Sequence, residues 1–171
     1  EENKKLLKKM VDSVELPNVF FGSFDKEYFK LPEFLVENIL SNIQNYFSFK
    51  QKNYKLSNRF CFVSNLSKSK KNNLVRGNQN VLKARFSDAD FFIEEDLKKK
   101  LDQRMSKLKK IVFYKNAGSL FQRAIRIQML ANKILERNEK DQKYVNYLNL
   151  SNVDLTTELV KEFPNLQGKV G

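Results

Sequence analysis

The stretch Val75–Asp96 reads VRGNQNVLKARFSDADFFIEED. An amphipathic helix needs apolar residues at helical spacing and polar residues elsewhere. It does not need Arg76-Gly77-Asn78, Ala84-Arg85, Ser87-Asp88-Ala89, Phe91-Phe92 and Glu94-Glu95-Asp96 in that order. Ser87 is placed to cap a helix, with Asp90 three residues on as its capping-box partner. Asp88, Asp90, Glu94, Glu95 and Asp96 would crowd the first turns of that helix. Lys98, Lys99, Lys100, Lys107, Lys109 and Lys110 would crowd its end, a polarity that suits the helix dipole. Glu94/Lys98, Glu95/Lys99 and Asp96/Lys100 stand four apart in the favourable order. The plain reading of this charge run is a solvated, self-paired face.

Working outward toward the C-terminus, Leu101, Met105, Leu108 and Val112 form one helical stripe. Leu120, Ala124, Ile127, Ala131 and Ile134 form another, after Gly118 and a capping Ser119. Tyr144–Leu150 is a third helical piece. Leu155, Leu159 and Phe163 mark a fourth, with Asp154 as N-cap and Pro164 as terminator. Toward the N-terminus, Asn3–Val11 is a short basic helix. Val19-Phe20-Phe21, between Pro17 and Gly22-Ser23, is a buried strand. Pro32 suits the first turn of a helix carrying Val36, Leu40, Ile43 and Phe47. Tyr46–Phe49 and Arg59–Ser64 flank a polar stretch and predict a hairpin. Ser67–Asn73 is the best linker. The expected fold class is α+β, mainly helical. A small β-containing part covers residues 1–66 and a helical array covers 67–171.

Composition narrows the function. Lys and Arg number 32 against 20 Asp and Glu, a net charge of +12. Such a surface attracts polyanions, although the abundance of Lys, Asn, Phe and Ile also fits an A/T-rich genome. The chain has no histidine and one cysteine, Cys61. A Ser-His-Asp triad, a Cys-His pair and a histidine-ligated or thiolate metal centre are therefore ruled out within it. Cys61 reads as a buried strand residue, and a single cysteine fits a reducing, cytoplasmic compartment. No apolar run approaches a membrane span. No phosphate-cradling glycine loop occurs. No residue is assigned a catalytic, cofactor-binding or metal-binding role. The chain starts at Glu1 and stops at Gly171, and reads as an excerpt of a longer protein.

The residues left for binding are cations. Arg76 and Lys83, seven apart, share one helix face with Asn80 between them and could grip phosphates. Lys68, Lys70 and Lys71 could reach an RNA backbone as mobile charges, with a solvated loop as the default reading. Arg85, flanked by Ala84 and Phe86, is expected to pair with Asp88 or another carboxylate. Phe91 and Phe92 point about 100° apart, so at most one could stack on a base. Core packing is the expected role of both.

The opening string, continued by Leu101-Asp102-Gln103-Arg104 and Leu108-Lys109, resembles the β subunit of the bacterial glycyl-tRNA synthetase built from separate α and β subunits. Asp154-Leu155-Thr156-Thr157-Glu158-Leu159-Val160, Glu162-Phe163-Pro164 and Leu166-Gln167-Gly168 resemble it in the same order. So do Val19 to Asp25, Leu31-Pro32-Glu33, Gln44 with Tyr46-Phe47, and Phe62-Val63-Ser64-Asn65. The resemblance implies an internal part of a β subunit that contacts tRNA beside an α subunit responsible for glycyl-adenylate formation. ATP would be used by the whole enzyme, with no cofactor in this piece. The implied partners are tRNA, the α subunit and the remainder of β, with no membrane. The family's helical region also resembles the HD phosphohydrolase fold, which could survive here only as a scaffold. Two departures stand out: Ile43 where the family has His, and Lys100 where it often has Pro. A docking module and a stand-alone nucleic-acid-binding domain are the competing expectations.

Overall fold

The computed structural model describes residues 2–67, 69, 71–135 and 144–170. They form two compact units, residues 1–91 and 92–171. The change of character expected at 66/67 marks instead the approach to one long helix, whose residues up to Phe91 count with the sheet.

The first unit begins with α1 (Glu2–Ser13) and β1 (Asn18–Ser23), followed by a 3-10 turn, Lys26–Lys30. Helix α2 (Glu33–Asn38) continues as a π turn, Ile39–Ile43, and β2 (Phe47–Lys50) and β3 (Leu56–Ser64) follow. The sheet is antiparallel in the order β1-β3-β2. The expected hairpin is therefore present, with β3 as the central strand. The stripe Val36–Phe47 does not stay helical throughout, since Phe47 opens β2. Strand β1 buries Phe20 but leaves Val19 and Phe21 about half exposed. It is a one-sided strand, as pleat alternation requires.

An aromatic cluster fills this unit. Tyr46 stacks on Phe60 at 4.8 Å and lies 5.5 Å from Phe62, and Phe20 stacks on Phe62 at 5.4 Å. Gly22 is required beside it: a Cβ there would stand 2.6 Å from the Phe60 ring. Helix α3 (Lys71–Leu97) contributes Leu82, Phe86 and Ala89, all fully buried. Phe86 sits 5.0 Å from both Phe24 and Tyr28. Tyr46 also donates its hydroxyl hydrogen bond to Asn78 Oδ1.

Ser87 is not an N-cap. It lies inside α3, and its hydroxyl bonds Tyr28 Oη at 3.1 Å. Asp90, the supposed box partner, pairs with Lys30 at 2.5 Å. The helix starts sixteen residues earlier, and burial of Leu82, Phe86 and Ala89 along it outweighs a local cap signal.

In the second unit α3 ends at Leu97, and α4 (Leu101–Arg104) leads into a 3-10 turn, Met105–Lys110. The helix breaks even without the family's proline. Lys100 is extended, with φ −62 and ψ 154, and Lys99 N–H closes the turn on Asp96 O. Val112 does not extend the helical stripe. Val112–Tyr114 is β4, paired with β5 (Gly118–Ser119). Helix α5 (Leu120–Leu135) follows with the expected cap: Ser119 Oγ accepts from Gln122 N–H at 3.3 Å, and Gln122 Oε1 accepts from Ser119 N–H at 2.8 Å. This reciprocal pair is a capping box with Gln at its third helical position. Leu108, Leu120 and Val153 form the core, packed by Leu101, Met105, Ile111, Phe121, Leu150 and Leu155. The piece Tyr144–Leu150 is mostly 3-10, over Asn146–Leu150.

Helix α6 (Glu158–Glu162) is capped by Thr157, whose hydroxyl accepts from Val160 N–H at 3.2 Å. Asp154, the expected cap, instead accepts from Leu155 N–H at 3.1 Å and from Gly168 N–H. Asp96 also breaks with expectation. It pairs not with Lys100 but with buried Arg104 at 3.1 Å, and its two oxygens accept Glu158 and Leu159 N–H, each at 2.9 Å. Arg104 further donates to the carbonyls of Asp96 at 2.8 Å and of Lys99 and Thr156 at 3.4 Å.

Three outcomes follow from this packing. Arg104→Met leaves Asp96 as an unpaired, largely buried carboxylate, so unfolding free energy should fall by about 3–5 kcal/mol in denaturant titration. Lys100→Pro matches the existing φ and loses no backbone hydrogen bond, so stability should rise by about 0.4–1 kcal/mol. Tyr46→Phe strands a half-buried Asn78 oxygen and should cost about 1–2 kcal/mol at neutral pH. Burial pushes the Tyr46 phenol up to about 12 from 10.0. A raised folded pKa means its contribution is complete below pH 10 and is lost as pH climbs through 12. The gap between wild type and Tyr46→Phe should therefore narrow across that alkaline interval.

Candidate nucleic-acid interface

Helix α3 displays the cations that the sequence singled out. Leu82, Phe86 and Ala89 fix which side of the helix is buried. At 100° per residue, Arg76 and Lys83 then lie about 20° apart, on the flank about 95–115° round from the centre of that stripe. Both are exposed, as is Asn80 between them. Nothing acidic lies between them on the helix: the stretch from Arg76 to Lys83 has no Asp or Glu. Asp90, further along, is engaged by Lys30. Two exposed cations about 10 Å apart along a helix can each reach a phosphate of the same nucleic-acid strand through their long side chains.

Lys71 does not join them. It is exposed at the start of α3 but stands about 140° round the helix from Arg76. Lys68 and Lys70 lie outside the described residues. Arg85 is half-buried and engaged. Asp88 is exposed in mid-helix and so takes no part in a helix start. Phe92 is half-buried, whereas Phe91 is 56% exposed. Core packing thus describes Phe92 better than Phe91.

Among the described residues no group of three or more His, Cys, Asp or Glu could hold a metal. The Cys61 thiol, half-buried on β3, is pushed above its ordinary pKa by desolvation, which disfavours the nucleophilic thiolate. Lys50 is tied to Glu37 at 3.1 Å, and that bond raises its amine. No described helix is long and apolar enough to cross a membrane.

Sequence reasoning passed over one cationic region. Lys109 and Lys110 were absorbed into a helix-end charge pattern, and Lys115 and Arg123 were not weighed. The missed signal was simple: from Gln103 to Leu135 the chain has no Asp or Glu at all.

Several quoted strings prove to be packing devices. Gly22 admits the Phe60 ring, Tyr46 reaches Asn78, Asp96 meets Arg104, and Asp154 holds Gly168. Motifs of this kind tie sequence to fold at widely separated positions.

A family profile described as glycyl-tRNA synthetase beta subunit matches residues 1–171. The glycine–tRNA ligase beta subunit of Listeria welshimeri is 38% identical over 175 residues, which takes in 100% of this chain and 25% of the relative. That of Thermodesulfovibrio yellowstonii is 37% identical over 171 residues, covering 99% and 25%. That of Buchnera aphidicola is 34% identical over 172 residues, covering 100% and 25%. The chain spans about a quarter of the length of these relatives. With the match running from the first residue to the last, this chain belongs to the glycyl-tRNA synthetase beta subunit family.

Proposed function

We propose that this chain is a noncatalytic region of a glycine–tRNA ligase, one that contacts the tRNA backbone and braces the rest of a longer β subunit. In this reading the α subunit forms glycyl-adenylate from glycine and ATP, and charging requires both subunits, in the cytoplasm. The full-length family match supports the assignment. The observation that carries the tRNA contact is that Arg76 and Lys83 are both exposed and about 20° apart on one flank of α3, beside the buried stripe of Leu82, Phe86 and Ala89. The absence of histidine leaves the piece without the usual acid–base groups for chemistry near neutral pH. Lys71, Lys68 and Lys70 are secondary contacts in this reading.

A bracing role has its own support. Met129, Leu130 and Ile134 on α5 are each more than half exposed, which suits an apolar face covered by further chain of the same subunit.

The test is charge reversal in the assembled enzyme. Arg76→Glu with Lys83→Glu should weaken tRNA binding and make the plot of log affinity against log salt shallower by about one to two, since each lost phosphate contact removes roughly 0.7–0.9. An unchanged affinity across the salt series would reject this placement of the contact.

A further inference from the structure

The second unit holds a surface that the α3 contact does not explain. Between Gln103 and Leu135 there is no acidic residue, and there are eight cations: Arg104, Lys107, Lys109, Lys110, Lys115, Arg123, Arg126 and Lys133. Several are already engaged: Arg104 is buried against Asp96, Arg126 donates to Ala117 O at 2.9 Å, pinning the hairpin turn, and Arg123 lies over the Phe113 ring. The 3-10 turn packed against α5, Asn146–Leu150, is also free of acids.

The β4–β5 hairpin stands within this acid-free region. Its turn is closed by Ala117 N–H on Tyr114 O at 3.0 Å, with Asn116 at φ 67 and Gly118 at φ +82. Gly118 is needed twice over: its φ is left-handed, and a Cβ would sit 2.0 Å from the Gln122 oxygen that completes the α5 capping box. The register pairs Val112 with Ser119 and Tyr114 with Gly118. The register shifts between Val112 and Tyr114, and both line one groove that Phe113 does not enter. Phe113 lies under Arg123, 4.8 Å from its ring centre. The Val112/Tyr114 face opens into a groove of about 730 Å³ lined also by Lys109, Lys115, Phe121 and Gln122. Lys109 Nζ sits 5.0 Å above the Phe121 ring, and Tyr114 is 71% exposed.

An exposed aromatic ring in a groove that Lys109 and Lys115 also line, with no carboxylate among the described residues lining it, matches an unstacked base and its flanking phosphates. A closed duplex would offer phosphates but no free π-face to the ring. We propose that the β4–β5 hairpin is a second RNA contact, in which Tyr114 stacks on an unpaired base and Lys109 and Lys115 hold the adjacent phosphates. This rests on the tRNA reading above and adds to it a site and a kind of nucleotide.

The experiment measures tRNA affinity of the assembled enzyme over a salt series. Tyr114→Ala should weaken binding roughly five- to a hundredfold with an unchanged salt slope, the loss expected for one stacked base. Tyr114→Phe should bind as wild type does. Lys109→Ala with Lys115→Ala should make the slope shallower by about one to two. Wild-type affinity in Tyr114→Ala, alongside weakened binding in the Arg76/Lys83 reversal, would overturn the hairpin site and leave the α3 contact standing. Failure of the wild-type enzyme to bind tRNA would remove both. Loss of subunit assembly in Tyr114→Ala, with normal affinity in the assembled fraction, would also overturn the proposal and make the hairpin a protein-docking element.

Discussion

The second unit depends on one buried ion pair. Arg104 is 3% exposed, and Asp96 sits against it with both oxygens already bonded to the first two N–H groups of α6. Removing two charges from water costs several kcal/mol for each, and the cost is offset only when every remaining donor and lone pair is satisfied. Here three backbone carbonyls accept from Arg104 and two backbone N–H groups donate to Asp96, beside the ion pair itself. The arrangement joins the last turn of α3, the short α4 and the start of α6. A helix as short as α6, five residues, cannot persist by its own hydrogen bonds. Its N-terminus is held by an anion at one side and by the Thr157 hydroxyl at the other, both suited to the helix dipole.

The first unit is ordered by burial of aromatic rings. Phe20, Tyr46, Phe60 and Phe62 stack across the sheet, and Phe86 brings α3 against Phe24 and Tyr28. The exposure of Arg76 and Lys83 is a consequence of that packing. Once Leu82, Phe86 and Ala89 are committed to the core, the helical period puts the two cations on one flank of the helix, where both are exposed. Core packing and exposed charge thus share one helix without competing for residues. The same economy appears around α5, where Leu120 and Ala124 are buried while the hairpin before it carries exposed rings and cations.

Much of the secondary structure was legible from the chain. The β2–β3 hairpin and α5 with its Ser119 cap followed from period and cap chemistry. Errors arose where a short-range signal had two possible users. Ser87 and Asp90 looked like a capping box, yet each found a partner on the 3-10 turn Lys26–Lys30, far away in sequence. Asp154 looked like a cap, yet Thr157 does the capping three residues later. Val112 fitted a helical stripe by spacing, but Asn116 and Gly118 turned the chain into a hairpin first. Asp96 fitted a surface pair with Lys100, but the end of α3 at Leu97 took Lys100 off the helix and left Asp96 facing Arg104.

The sequence by itself determined the class of the chain, the absence of histidine chemistry, the excess of cations and the family strings. These properties are local or compositional, so they can be read without knowing what lies nearby. Only the tertiary structure decided which charges are spent on the fold and which remain for a partner. Arg104 and Arg76 are the same residue type on neighbouring segments, and one is buried against a carboxylate while the other faces solvent. The physical reason is that the energy of a charge depends on its desolvation and on the partners brought to it from distant positions, neither of which is encoded in spacing along the chain.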